Sequence, residues 1–490
     1  MSVTLKRKSV VFYPDPRRTI ARFYFTSDEH ALQVINKILE LSQEEVSMEL
    51  HQVLRDFSTR HRRITKVFET NFSNVRHLLQ KLKVKPESLS QEMKLLIGAY
   101  FTHEYAIEAA AYFNPSIVEH PDQYGLEKGQ KRVIVSFRAT GEGHISSIVF
   151  REGIVDRNNN LHFTESGDLE EVPEKVKRYV YNKKAFIRKL DEMNIHKDIV
   201  NLVLDRLSNK FIYGELQASI SETLKNVKLT PTKRNVIQEI NWVADSHYEI
   251  TFSLDTALSE RVIFPISYSE RNGIEDARFV RFTDDNGDVE YYATYTAYNG
   301  YTILPKLIST RDFYHFKVCP LNGKYAQNKD MALFPRKING KYAMVGRYDG
   351  MNNYIMFSDN IHLWKDAKLI QKPRFPWEFI QIGNSGSPIE TEEGWLLVTH
   401  GVGPMRRYSL GATLLDLDDP GKVIGHLKYP LMMPNEKERE GYVPNVIYSC
   451  GSIIHNNELI IPYAMSDYAS SFVTVPVDEL LEELKHNHDG

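Results

Sequence analysis

The segment Gly273-Ile-Glu-Asp-Ala-Arg278 sets two adjacent carboxylates, Glu275 and Asp276, beside the guanidinium of Arg278 on a short stretch opened by a glycine. The run Tyr291-Tyr-Ala-Thr-Tyr-Thr-Ala-Tyr298 follows and reads as a strand. A carboxyl group that donates a proton near neutral pH needs neighbours that tune its pKa, and a strand end gives it a rigid mount. A surface turn with a local ion pair would look the same over six residues, so the weight falls on the rest of the chain. At or just beyond other strand ends stand Arg138, Lys329, Asp330, Arg347, Glu390, His400 and Asp467. Each alone could be a strand terminus solvating itself. Together they would line a pocket with at least four cationic or potentially cationic groups and several carboxylates. Grouped cations suit an oxyanion such as phosphate. Carboxylates beside them suit a polyhydroxyl sugar and acid catalysis.

These residues lie far apart in sequence, so the fold must bring them together. From Ser27 to about Phe113 the pattern is helical, with Leu32, Ile35 and Leu39 at helical spacing and Ser88 and Gln91 fitting a capping box. A second helical stretch covers about Glu170 to Asp245, where Thr230-Pro231 supplies a cap and a first-turn proline. The remainder reads as paired short strands. The pairs are Val133–Arg138 with Ile145–Ile148, Tyr291–Tyr295 with Tyr301–Leu304, Tyr342–Arg347 with Tyr354–Phe357, Trp395–His400 with Ser409–Ala412, and Leu459–Tyr463 with Phe472–Val475. The last four pairs start 51, 53 and 64 residues apart. A period of about 50 is that of a four-stranded propeller blade. The first interval is longer by about the size of the second helical stretch. The expectation is a mainly β chain: a five-bladed β-propeller with an N-terminal helical region and a helical insertion after the first blade. A β-sandwich with irregular hairpins is the alternative. The expected boundaries are an N-terminal helical region over 1–110, a first blade over 111–163, the insertion over 164–247, the remaining blades over 248–480 and a tail over 481–490.

With these motifs in place, the chain resembles glycoside-hydrolase family 130, the β-mannoside phosphorylases and related β-mannosidases. The resemblance rests on Gly273–Arg278, where the family usually has proline at Ala277, and on Tyr295-Thr-Ala-Tyr298. It continues through Lys329-Asp330 leading into Leu333-Phe-Pro335, Ile338–Tyr342 and Arg347, and through Pro388–Thr391 with Gly394-Trp395. His400-Gly-Val402, Gly441–Val446 with Cys450-Gly451, and Asn114-Pro115 with Arg138 complete it. It implies inverting cleavage of a β-mannosidic bond, with Asp276 as general acid acting through a hydroxyl of the bound mannose. Inorganic phosphate would attack the anomeric carbon and give α-mannose 1-phosphate. Arg138, Lys329, Arg347 and His400 are the expected phosphate ligands. Asn114, Arg138, Glu275, Arg278, Asp330, Glu390 and Asp467 are the expected sugar ligands. Thr399-His400, Asn384–Ser387, Ala464–Asp467 and Tyr348–Gly350 depart from the family pattern near the pocket.

Two other readings stay open: an inverting β-mannosidase using water, with Glu390 as its base, and a non-catalytic glycan-binding propeller. Composition narrows the classes further. The 490 residues are 42% hydrophobic, ordinary for a globular chain. The net charge of −3 provides no basic excess for nucleic acid. Two cysteines, Cys319 and Cys450, imply no disulfide framework. No apolar run is long enough to span a membrane, and no secretory h-region follows the charged N-terminus, so a cytoplasmic location is expected. Nothing calls for a metal or an organic cofactor; phosphate enters as co-substrate. The helical regions could serve homo-oligomerisation or cover the site. His30, His51 and His61 read as surface residues.

Overall fold

A computed structural model of the protein describes residues 3–486 apart from 168, 174, 177–179, 193–194, 196, 227–229 and 301–302. Tyr301 and Thr302, placed in a strand pair above, lie outside the described residues. The chain is mainly β, and five antiparallel sheets carry most of its described strands.

Sheet I runs Ala111–Glu119, Lys131–Thr140, Ser146–Val155, Val262–Ile263. Sheet II begins Ile274–Thr283, Val289–Tyr298, Ile303–Thr310, His315–Pro320 and adds Tyr248–Thr251 and Lys175–Val176 at its edge. Sheet III is Lys329–Leu333, Tyr342–Arg347, Asn353–Ser358, Lys368–Gln371. Sheet IV is Gln381–Asn384, Gly394–Val402, Tyr408–Leu415, Val423–His426. Sheet V is Ile447–Tyr448, Glu458–Met465, Ala469–Pro476, with Lys6–Phe12 on its outer edge. The hairpins read from sequence are therefore the two middle strands of each sheet. Their long apolar text made them visible, whereas the first strands are short or interrupted by polar residues.

Burial links the sheets in order. Ile134 and Phe150 of sheet I share a core with Tyr291 and Phe279 of sheet II. Phe282 and Leu307 meet Leu333 and Met344 of sheet III. Val345 meets Trp395 and Leu397 of sheet IV. Leu396 and Leu410 meet Ile447 and Leu459 of sheet V. Ile460 and Phe472 of sheet V return to Tyr112 and Val135 of sheet I.

A local device recurs in the first strands of sheets I, II and III. Each carries a β-bulge, after Phe113, Glu275 and Lys329 respectively. The residue at the bulge has a left-handed backbone in all three: Asn114 at φ 48°, Asp276 at 55° and Asp330 at 63°. Asn and Asp tolerate that region better than other non-glycine residues. A bulge re-aims the side chain it carries, and here three polar side chains occupy equivalent positions in successive sheets.

The helices fall where periodicity put them, with shifted ends. The N-terminal set runs from Asp28 to Tyr100 and stops there; Phe113 belongs to sheet I. Pro86 opens a short 3-10 turn over Pro86–Ser88, so the following helix is capped by Ser90, which accepts from the Met93 N–H at 3.1 Å, and not by Ser88. The second set begins at Lys183, with Pro231 opening the helix Pro231–Asp245. Residues 481–486, expected as tail, end the helix Val477–His486, whose Leu480, Leu481 and Leu484 are buried against sheets IV and V. His61 is buried and bonds Glu104 at 2.7 Å, so it is not a surface residue.

The N-terminal strand Lys6–Phe12 pairs with Ala469–Pro476, and Arg7 makes a bidentate contact with Glu438 at 2.7 and 3.0 Å. Phe12 packs edge-on against Phe137 and Phe163. Deleting residues 1–12 is expected to lower the thermal midpoint by roughly 5–10 °C, measured by calorimetry.

Candidate functional site

The bulges and the ends of the second strands bring most of the expected residues into two joined clusters. In the first, Arg138 donates to Glu275 Oε1 at 2.8 Å and to Asp276 Oδ1 at 3.3 Å. Lys329 Nζ donates to Glu275 Oε2 at 2.7 Å, and Asn114 Nδ2 donates to Asp276 Oδ1 at 2.6 Å. The Arg138 guanidinium lies 5.0 Å from the centre of the Phe113 ring. Burial acts to raise the Glu275 pKa, but Arg138 and Lys329 outweigh it and hold the carboxylate below its ordinary value. The same charges work in reverse on Lys329: burial lowers its pKa, and Asp276 and Glu275 more than restore it.

The second cluster is centred on Asp330. Its Oδ1 accepts from Arg278 at 2.7 Å and from the Tyr448 hydroxyl at 2.8 Å; its Oδ2 accepts from Arg347 Nε at 2.6 Å. Arg278 also donates to the backbone and side-chain oxygens of Asn384, both at 3.0 Å. The Asn384 amide in turn donates to the Asp330 carbonyl. Burial alone would raise the Asp330 pKa; Arg347 and Arg278 reverse this and push it far down. Two guanidiniums against one carboxylate leave a positive charge in a buried setting, which favours an incoming anion.

Four expectations need correction or refinement. The Arg278 and Asp330 side chains are 2% and 1% exposed. With their hydrogen bonds already made, they brace the pocket from behind and have little surface to offer a sugar. His400 is fully buried, and burial pushes its pKa down to about 4. It is therefore neutral near pH 7 and brings a hydrogen-bonding ring, not a cation. Its Nε2 lies 3.6 Å from Asp330 Oδ2, beyond hydrogen-bond reach. Glu390 is not brought to the site at all. Both its oxygens are held by Arg336, at 2.8 and 2.5 Å. It stands opposite Trp395, five residues along the strand from His400 and so about 17 Å away. Glu390 instead lines a cavity of about 300 Å³ with Lys131, Arg281, Pro335 and Ile453, at the opposite end of the first strands.

Asp467 lies in the turn between the two middle strands of sheet V, with φ 51°. Burial raises its pKa to about 6, with Arg138 opposing and the Asp276 charge adding to the rise. Sequence reading missed Tyr448 and the role of the Asn384 side chain. Asn384 sits in motif text and Tyr448 in the gap between two motifs, yet only a structure shows that they bond one arginine. Glycine placement was a usable signal: a Cβ on Gly383 would lie 2.5 Å from His400 Cε1 and 2.6 Å from Asp330 Oδ2.

Three buried polar atoms of the site have no protein hydrogen-bond partner: Asn114 Oδ1, Arg138 Nε and His400 Nε2. Buried polar groups are seldom left unpaired, so their grouping points to a polar ligand.

The family profile described as β-1,4-mannooligosaccharide phosphorylase, glycoside hydrolase family 130, matches residues 243–486. Residues 243–486 thus carry the signature of this family. It is 39% identical over 214 residues to a 1,2-β-oligomannan phosphorylase of Thermoanaerobacter sp. (strain X514), over 40% of this chain and 66% of that one. It is 30% identical over 249 residues to a β-1,2-mannobiose phosphorylase of Listeria innocua serovar 6a, over 49% of this chain and 66% of that one. The matched stretch thus spans just under two thirds of both relatives. The solved structure of the β-1,2-mannobiose phosphorylase from Listeria innocua with β-1,2-mannobiose aligns over 77% of this chain and 93% of that one, with 23% identity and a TM-score of 0.47.

The Asp467 assignment has a pH signature. The unfolded carboxyl releases its proton near its ordinary value of about 3.9, the folded one only near pH 6. Between those values the native state binds more protons than the unfolded state, so stability falls as pH rises from about 4 to about 6 and levels off above. Asp467→Asn is expected to flatten that slope, read from urea unfolding at pH 4.5 and pH 7.

Proposed function

We propose that the protein catalyses inverting phosphorolysis of a β-mannosidic bond, on a five-bladed β-propeller whose first strands surround the site. Support for the propeller comes from the five sheets packing in sequence, with sheet V returning to sheet I. The same support extends to the proposed division of the chain: blades over 111–163 and 248–480, with helical additions before and between them. The edge strand Lys6–Phe12 then closes the last blade, and the helix Val477–His486 packs on its outside.

The observation that carries the chemistry is Asp276 on its bulge, held by Asn114 and Arg138, with Lys329 and Arg347 close by. In the reaction the bond between the anomeric carbon and the glycosidic oxygen breaks, and its electron pair stays on that oxygen. Asp276 supplies the proton, relayed through a mannose hydroxyl. A phosphate oxygen forms the new bond to the anomeric carbon from the opposite face, giving α-mannose 1-phosphate and a shortened acceptor. Phosphate is already anionic and needs cations more than a base. Arg347, Lys329 and Arg138 supply the charge, and neutral His400 supplies a hydrogen bond. Asn114 and Asp467 are left to meet mannose hydroxyls, with Glu275 fixing the orientation of Arg138 and Lys329. No organic cofactor or metal enters this scheme.

The test is release of mannose 1-phosphate from β-1,2- and β-1,4-mannooligosaccharides with and without inorganic phosphate. Asp276→Asn should cut turnover by about 10²–10⁴-fold while calorimetry still detects sugar binding. Free mannose released at the same rate without phosphate would make the enzyme a hydrolase. Full loss in Asp467→Asn with turnover kept in Asp276→Asn would move the acid to Asp467.

A further inference from the structure

The helices of 183–245 precede the family-matched stretch almost entirely, yet they are fastened to the sheets beside the site. Lys189 Nζ donates to the Leu321 carbonyl at 2.9 Å, and Glu192 accepts from the Gly323 N–H at 2.8 Å. Trp242 packs against both the helical core and the core between sheets I and II. Between this layer and the sheets lies a cleft of about 1550 Å³. Its helical wall presents Trp242, Tyr213 and Gln238; its other wall presents Asn299, Asn328 and Tyr348.

That second wall adjoins the site. Asn328 immediately precedes Lys329, and Tyr348 immediately follows Arg347, so each is one Cα step of about 3.8 Å from a proposed phosphate ligand. Single small-molecule pockets are about 300–1,000 Å³. A cleft larger than that, with aromatic rings and side-chain amides on facing walls, has the chemistry to hold several pyranose units. The rings take the apolar C–H faces of the sugar, and the amides take its hydroxyls.

We infer that the helical insertion builds one wall of an extended binding cleft, and that the enzyme acts on β-mannooligosaccharides longer than a disaccharide. The inference rests on the phosphorolysis reading and adds the substrate's chain length to it. The tandem placement of Trp242 and Gln238 on one helix, four residues apart, puts both on the same face, where a chain lying along the cleft would meet them in turn.

The experiment compares phosphorolysis of β-mannobiose with that of the pentasaccharide of the same linkage, by wild type, Trp242→Ala and Gln238→Ala. Wild type should prefer the longer chain. Trp242→Ala should lower the ratio of the two kcat/KM values about tenfold, mainly through KM for the pentasaccharide. Gln238→Ala, at an exposed helical position, should lower it in the same direction and keeps the test valid if Trp242→Ala does not fold. A wild type that prefers the disaccharide, or ratios equal to wild type in folded variants, overturns the cleft while leaving phosphorolysis intact. A rise in the phosphate KM with no change in the ratio also overturns it. No mannose 1-phosphate from either sugar removes the phosphorolysis reading and this inference with it.

Discussion

One buried carboxylate holds the site together. Asp330 of sheet III binds Arg278 of sheet II, Arg347 of its own sheet and Tyr448 of sheet V, and its carbonyl receives Asn384 of sheet IV. Four sheets meet on one residue. Burying charge is costly unless it is paired and hydrogen-bonded, and here the carboxylate accepts three hydrogen bonds, two of them from arginines. Removal of Asp330 would strand two guanidiniums in the interior, a loss on the order of 3–5 kcal/mol for a buried pair. The arrangement also has an electrostatic product. One carboxylate cannot neutralise two arginines, so this cluster keeps a positive charge beside Asp276, the proposed acid.

The second constraint is backbone shape. Asn114, Asp276 and Asp330 occupy the same bulge position in three consecutive sheets, each with positive φ. Repetition of a sheet therefore repeats a device for turning a short polar side chain towards its neighbours. The three side chains aimed in this way differ: an amide that holds Asp276, Asp276 itself as the proposed acid, and the carboxylate that binds the arginines. A substitution of Asp276 by a β-branched residue would meet backbone strain as well as lost chemistry.

The sequence made the architecture readable because the middle strands of each sheet are long and apolar at a regular spacing. The first strands, which carry the chemistry, were visible only as motifs, since bulges and polar residues disrupt their alternation. The gathering of Arg138, Glu275, Asp276 and Lys329 in one pocket was legible, but their pairing was not: Arg278, the cation nearest the two carboxylates in sequence, turns to Asp330, and Arg138 and Lys329 take Glu275. It was not legible for Glu390: a carboxylate after a glycine-rich loop looks like a site residue until strand direction carries it to the far end of its sheet. His400 shows another limit, since a histidine reads as a potential cation until burial settles its charge. Tyr448 and Asn384 serve a hydrogen-bond network, and networks of neutral groups leave no spacing pattern. The helical insertion was legible as helices, but its contact with the site depends on Lys189, Glu192 and Trp242 reaching segments far along the chain.

The most direct measurement is proton NMR of the anomeric position during turnover of β-1,2-mannobiose in phosphate buffer. A site that holds phosphate on cations opposite Asp276 should yield mannose 1-phosphate that is α from the first turnover. A β-phosphate product would contradict inversion, and free mannose with no phosphate ester would contradict the cationic pocket as the seat of the nucleophile.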